Sequence, residues 1–327
     1  MANEPHTAFP EPHAAPPRQP GQKTADRPAM VSRRGLCLGL LPTGIAWMVG
    51  RPALAKEEIL AIDTHAHVFA RDLPLTSDRR YAPAYDATLA DYLGMLDRNG
   101  MSHGVLVQPS FLGTDNAYLL EALRREPRRL RGIAVVAPET APDELRRLDR
   151  AGVVGLRLNL VGQPDPDLAD ETWRRHLAEV AALGWQVEVH AEARRLPQLL
   201  PPLLRAEVPV VVDHFGRPDP RLGVDDPGFR HLLTFGTTRR VWVKLSAAYR
   251  NGGDGAGERT ARAATPLLRD AFGPDRLLWG SDWPHTQFEK AINPAATRHA
   301  LDAWLPDLAE RRIVLADTPA RLFRFTG

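Results

Sequence analysis

The chain has 327 residues, enough for one large α/β domain or two small ones. Hydrophobic residues make up 43% and charged residues 25%, an ordinary globular balance rather than that of a disordered or fibrous chain. The formal net charge is only +2 and no basic tract stands out, which argues against nucleic acid as a partner.

Residues 1–30 are polar and Pro-rich with no hydrophobic period. They cannot bury a core, and are expected to be disordered or an artefactual extension before a true start at Met30. Ser32-Arg33-Arg34 then precedes an apolar run to about Val49, and Pro52-Ala53-Leu54-Ala55 offers small residues at −1 and −3 of a cleavage site. Residues 31–55 therefore predict a twin-arginine-type signal peptide. The precursor would meet the twin-arginine export machinery, and the product would be periplasmic or secreted. Pro42 and Gly44 interrupt the run, which is short for a membrane span; an uncleaved anchor is the alternative. Cleavage would remove Cys37, the only cysteine, and leave 36 basic and 37 acidic residues in 56–327. Disulfide and thiol chemistry are then excluded.

From residue 56 onward, short β-like runs alternate with longer amphipathic ones. Strands are predicted at 59–63, 104–108, 132–137, 153–158, 186–190, 208–213, 241–246 and 277–280. Helices are predicted at 86–98, 115–126, 142–150, 170–183, 192–205, 226–236, 258–272 and 294–304. Val153-Val154-Gly155-Leu156-Arg157-Leu158 and Val208-Pro209-Val210-Val211-Val212 are nearly continuous apolar runs, as buried parallel strands require. Eight strands alternating with eight helices predict a single (β/α)8 TIM barrel over 56–327. A doubly wound sheet is the alternative, but Thr64-His65-Ala66-His67 is not the Gly-rich turn it would carry after strand one.

In such a barrel the chemistry sits at the C-terminal strand ends. Strand one offers His65 and His67, two apart and therefore on one face. Strand two offers Gln108, then Ser110, Thr114 and Asp115. Strand four offers Arg157 and Asn159; strand five His190 and Glu192; strand six Asp213 and His214. Strand seven offers Lys244 and Ser246, then Tyr249 and Arg250; strand eight Ser281 and Asp282, then His285. His176, His231 and His299 fall in helical runs and are expected to be solvated, and His103 lies at the wrong end for chemistry.

Neutral imidazoles suit a divalent ion, most simply Zn2+, and such an ion lowers the pKa of a water it holds. Asp282 would accept that water's proton. Arg157 and Arg250 present planar forks suited to carboxylates, with local ion pairing as their alternative role. Lys244 is either a structural ion pair or an electrophile. Tyr81, in the first loop, could cap the site.

Five segments carry a family resemblance: Asp63-Thr64-His65-Ala66-His67, Gln108-Pro109-Ser110 with Gly113-Thr114-Asp115-Asn116, Gly155-Leu156-Arg157-Leu158-Asn159, Asp213-His214-Phe215-Gly216-Arg217-Pro218 and Trp279-Gly280-Ser281-Asp282-Trp283-Pro284-His285. Over about 59–325 the chain resembles the lactonase branch of the amidohydrolase superfamily, which includes pyrone-dicarboxylate, sugar and muconolactone lactonases. The resemblance implies a (β/α)8 barrel that hydrolyses a cyclic ester, with His65, His67, His214 and Asp282 as the catalytic set. It implies substrate binding by Arg157, Arg250 and Tyr81, to which Ser110 and Tyr249 are added as candidates.

Two departures from the pyrone-dicarboxylate pattern bear on substrate and metal. Leu160-Val161-Gly162-Gln163 stands where that pattern has a second arginine, which points away from pyrone dicarboxylate itself. His190 replaces a tyrosine and restores the metal ligand usual in the wider superfamily. One divalent metal on His65, His67, His190 and Asp282 is therefore expected, with a metal-independent mechanism as the alternative. Arg157 in place of a strand-four lysine argues against a carbamylated-lysine binuclear site.

The leading expectation is a lactonase acting on a carboxylated or polyhydroxylated small molecule. A decarboxylase of an aromatic or unsaturated acid is the alternative, and a non-enzymatic solute-binding protein is the third reading.

Overall fold

The computed structural model describes residues 60–77 and 79–325. The chain divides after Ala53 into two units, and every described residue lies in the second, Leu54–Gly327. The predicted extension, signal peptide, Met30 and Cys37 lie outside the described residues. Among the described residues no helix is long and apolar enough to cross a membrane.

Eight strands form one parallel sheet in sequence order: β1 Ile62–Ala66, β2 His103–Val107, β3 Leu130–Ala134, β4 Val153–Asn159, β5 Gln186–His190, β6 Val210–Val212, β7 Val241–Ser246 and β8 Leu277–Gly280. This is the order of a (β/α)8 barrel. The seam between β8 and β1 is drawn together by a parallel bridge of Ala66 with Trp283, and by amides of His67 and Asp282 donating to Trp283 O and His65 O. Gly280 allows the approach: a Cβ there would lie 2.6 Å from His65 Cβ.

Seven helices cross between consecutive strands, α1 Leu89–Arg98, α2 Ala117–Arg125, α3 Pro142–Arg150, α4 Glu171–Ala182, α5 Leu196–Arg205, α6 Pro227–Thr234 and α7 Ala256–Phe272; α8 Pro294–Trp304 follows the last strand, ahead of the short helices Leu308–Arg312 and Thr318–Leu322. Their starts follow local chemistry. Thr88 and Asp91 form a reciprocal capping box on α1, and Asp170, Asp226 and Asn293 cap α4, α6 and α8. The predicted helix at 192–205 opens as a short 3-10 turn, and the α-helix itself begins at Leu196.

The inner barrel is filled by Ile62, Val105, Val107, Ile133, Val154, Val211 and Leu278. Phe323 and Phe325, from the C-terminal segment beyond the eight predicted helices, close its N-terminal end. His103 packs edge-on against Phe325 there, at the end remote from the site. Two expectations need correction. Strand one continues past Asp63 to Ala66, because pairing with β2 persists to that residue, so His65 lies inside the strand. His176 is buried rather than solvated, because it lies on the inner face of α4, edge-on to Trp173.

Candidate active site

The C-terminal strand ends surround a cavity of about 290 Å³. Its lining includes His67, Tyr81, Ser110, Arg157, His190, His214, Arg250 and Asp282, all singled out from the sequence. His65 lies beneath and is fully buried. Tyr249 is not among the lining residues; it holds Asp282 from the side.

Asp282 is the centre of the arrangement. Its Oδ2 accepts from Arg250 Nε and from the Tyr249 hydroxyl, each at 2.6 Å. That leaves Oδ1 facing His67 Nε2 at 3.5 Å and His65 Nε2 at 3.7 Å. Burial alone would raise this carboxyl, but the Arg250 guanidinium and the neighbouring imidazoles hold it well below the usual carboxylate range. Asp282 sits at φ +58° and His214 at φ +51°, left-handed positions that turn both side chains at the strand ends.

The hydrogen bonds of His67 decide its tautomer. Nδ1 lies 2.7 Å from the Val107 carbonyl, which can only accept, so Nδ1 carries the proton. Nε2 then presents a lone pair to the site. Burial pushes the His67 imidazole below its ordinary range and the His214 imidazole down to about 3. His214 Nδ1 lies 2.8 Å from Ser246 Oγ.

His190 is oriented the other way. The Arg157 Nη2 group, which can only donate, lies 3.3 Å from His190 Nδ1. In a neutral ring Nε2 therefore carries the proton. That atom is buried with no protein partner.

Below the cavity lies a charged layer that the sequence reading did not assemble. Lys244 Nζ donates to Glu188 Oε1 at 2.6 Å, and lies 3.1 Å from His65 Nδ1 and 3.5 Å from Asp213 Oδ1. Arg157 donates to Asp213 Oδ2 at 3.3 Å. Lys244, Glu188 and Asp213 are fully buried, so Lys244 is the structural ion pair of the two roles open to it. Burial raises the Glu188 carboxyl to about 7 despite Lys244 beside it. Asp63 does comparable work between β1 and β8. Its carboxylate accepts from the amides of His65 and Ser281, from Ser281 Oγ and from Tyr92.

Two cavity arginines were not singled out from the sequence. Arg80 comes from the loop after β1 and Arg217 from the turn after β6. Arg80 Nη2 donates to Asn159 Oδ1 at 3.2 Å. Its stem crosses Gly162, where a Cβ would lie 3.1 Å from Arg80 Cδ. Tyr81 lines the wall, but its hydroxyl is engaged by Glu289 at 2.8 Å.

Among the described residues, two groups of donor atoms lie close enough to share an ion: His65, His67 and Asp282; and His65, Asp213 and His214. The first fits a divalent cation. His67 Nε2 has a free lone pair, and His65 Nδ1 can direct its proton to Asp213 Oδ1, 3.3 Å away, which leaves the buried His65 Nε2 to face Asp282 Oδ1 beside it. His190, expected as a metal ligand, belongs to neither group.

A family model described as amidohydrolase matches residues 62–325. This chain belongs to the amidohydrolase family. It is 35% identical over 269 residues to a 4-sulfomuconolactone hydrolase of Rhizobium radiobacter, covering 80% of this chain and 89% of the relative. It is 34% identical over 282 residues to a 2-pyrone-4,6-dicarboxylate hydrolase of Comamonas testosteroni, covering 80% and 90%. Among solved structures, one from Acinetobacter baumannii is described as a probable 2-pyrone-4,6-dicarboxylic acid hydrolase with citric acid bound. It is 42% identical with a TM-score of 0.79, covering 81% of this chain and 99% of that one. In this amidohydrolase the family match takes in every strand of the barrel and every side chain that lines the cavity.

Proposed function

We infer that this amidohydrolase is a lactonase: it adds water to the carbonyl of a cyclic ester and opens the ring. The observation that carries the reading is one cavity in which an ionised Asp282 Oδ1 meets neutral imidazoles of His65 and His67, in a chain a third identical to two lactone-ring hydrolases.

A water between Asp282 Oδ1 and the carbonyl carbon is oriented by the carboxylate, which takes its proton as the new C–O bond forms. Developing charge on the carbonyl oxygen is met by fixed donors, among them the His190 Nε2–H. The ring C–O bond then breaks, its oxygen takes up a proton, and the product is an open-chain acid. Arg157 and Arg250 hold anionic substituents while retaining their own aspartates. A divalent ion, zinc in our proposal, would be held by His65 Nε2, His67 Nε2 and Asp282 Oδ1, and when bound supplies Lewis acidity at the carbonyl and a more acidic water. The Ser32-Arg33-Arg34 leader supports export by the twin-arginine route and work in the periplasm.

The test is acid release by the full chain against pyrone carboxylates, muconolactones and aldonolactones, with CO2 followed in parallel. Stoichiometric acid release from one class is expected. Release of CO2 from an unsaturated or aromatic acid, with every lactone intact, would replace this reading by the decarboxylase.

A further inference from the structure

Three donors converge on one oxygen at the mouth of the barrel. Glu289 Oε1 accepts from the Tyr81 hydroxyl at 2.8 Å, the Tyr85 hydroxyl at 2.6 Å and the Gln287 amide at 2.9 Å. Both tyrosines belong to the loop between β1 and α1, and Glu289 to the loop between β8 and α8. Burial would raise the Glu289 carboxyl, but the Tyr85 and Tyr81 hydroxyls hold it below the usual carboxylate range. One carboxylate thus joins two loops across the mouth.

Each side of this tie is built into its own loop. Tyr85 packs edge-on against Phe69 with ring centres 5.4 Å apart, and the Phe69–Ala87 bridge closes the base of that loop. On the other side Gln287 stands at φ +71°, a left-handed position that a non-glycine residue keeps only where its surroundings hold it. Phe288, next to Glu289, lies with its ring 4.9 Å from that of Tyr249 and 5.5 Å from the Arg250 guanidinium. Arg250 Nη2 also donates to Thr286 O at 3.3 Å. The loop after β8 is therefore anchored at one end on the residues that hold Asp282 and at the other on Glu289. Tyr81, Gln287 and Phe288 line the cavity, whereas Glu289 and Tyr85 stand behind that wall.

We propose that Glu289 is a positioning residue for substrate binding: it clasps Tyr81 and Tyr85 across the mouth and so fixes the wall made by Tyr81, Gln287 and Phe288. Either phenol alone spans the two loops, so the clasp is redundant by design. The choice of substrate rests on the lactonase reading; the clasp itself does not.

The first experiment is trypsin cutting of the full chain after Lys290, an exposed residue of the same loop, followed as a new N-terminus at Ala291. Cutting of a native loop reports its opening. Tyr81→Phe and Tyr85→Phe leave the cut sequence unchanged. Each single variant is expected within about threefold of the wild-type rate and the double variant at least about tenfold above it, a coupling that independent sites do not show. Cuts elsewhere in 56–327 should keep their wild-type rates. The second experiment measures KM and kcat on the lactone that the panel selects, or on the acid if CO2 release replaces that reading. Glu289→Leu removes the acceptor and should raise KM at least about tenfold with kcat within about threefold, the mark of lost binding rather than lost chemistry. Glu289→Gln keeps an oxygen that accepts from the phenols and should recover most of that loss. Unchanged cutting in the double variant, or a wild-type KM in Glu289→Leu, overturns the proposal. Both effects seen on the acid, with every lactone intact, would uphold the clasp and refute the lactonase reading alone.

Discussion

Arg250 Nε lies 2.6 Å from Asp282 Oδ2, on the oxygen that faces away from the two histidines. One carboxylate is thus divided between a structural edge, fixed by Arg250 and Tyr249, and a working edge at Oδ1. Asp282→Asn keeps the shape but can neither accept a proton nor balance Arg250. Lactone turnover should fall at least about 1,000-fold, as for loss of a catalytic base, while substrate binding persists. Near-normal turnover by that variant would remove Asp282 from the mechanism.

Arg250→Met tests the same pair through pH. Arg250 lowers the Asp282 carboxyl, so the ionised form persists far into acid and is lost only as pH falls through that depressed value. Without the guanidinium, burial acts with less opposition and the carboxyl titrates higher. The acid limb of kcat/KM against pH should therefore move upward in the variant. An unmoved limb would mean that another group sets it.

Metal content separates His67 from His190. His67→Ala removes an Nε2 lone pair fixed by Val107, and should cost more zinc affinity than the ~10–100-fold typical of outer partners. His190→Ala removes a hydrogen-bond donor, so zinc stoichiometry should persist while turnover falls. Calorimetric zinc titration of both variants checks this, and equal loss in the two would return His190 to the ligand set.

Stability should fall from pH 7 to pH 5. Six buried imidazoles, those of His65, His67, His176, His190, His214 and His285, are pushed below their ordinary value chiefly by burial. The unfolded chain protonates them below about 6.5 while the folded chain does not, so their contribution is present above that pH and lost as pH falls. Asp63, raised to about 6, and Glu188, raised to about 7, act oppositely: their contribution is present at low pH and lost as pH rises. Each group is worth about 1.4 kcal/mol per pH unit within its window, so the histidines prevail by number. Thermal melts at the two pH values measure the net sign.

Lys244→Met should destabilise the barrel by about 3–5 kcal/mol, because Glu188 and Asp213 stay buried without their cation. Adding Glu188→Gln should recover part of that loss by removing one of the stranded charges. Melting curves of the single and double variants decide it; an additive further loss would contradict a charge-pair origin.

Much of the site was legible along the chain. His65 and His67 share a side because strand side chains repeat every two residues. Arg157, His190, His214 and Asp282 stand at strand ends because parallel strands read as apolar runs whose ends are visible. The continuation of β1 to Ala66 was not legible, since the polar His-x-His interrupts the apolar run that marks a strand. Nor was the burial of His176, because a histidine on a helix reads the same whichever face it lies on.

By itself, the sequence determined the order of eight strands and eight helices and the set of metal-capable and cationic side chains at one end of the barrel. Those are local properties, carried by periodicity, caps and motif spacing. Only the tertiary structure decided how these groups are partnered. Arg157 meets His190 across 33 residues, Lys244 meets Glu188 across 56, and Arg80 crosses Gly162 from another loop while the Arg217 guanidinium has no hydrogen-bond or ion-pair partner among the described residues. Pairing depends on which atoms the closed barrel brings within about 3 Å, a distance in space that no local pattern encodes.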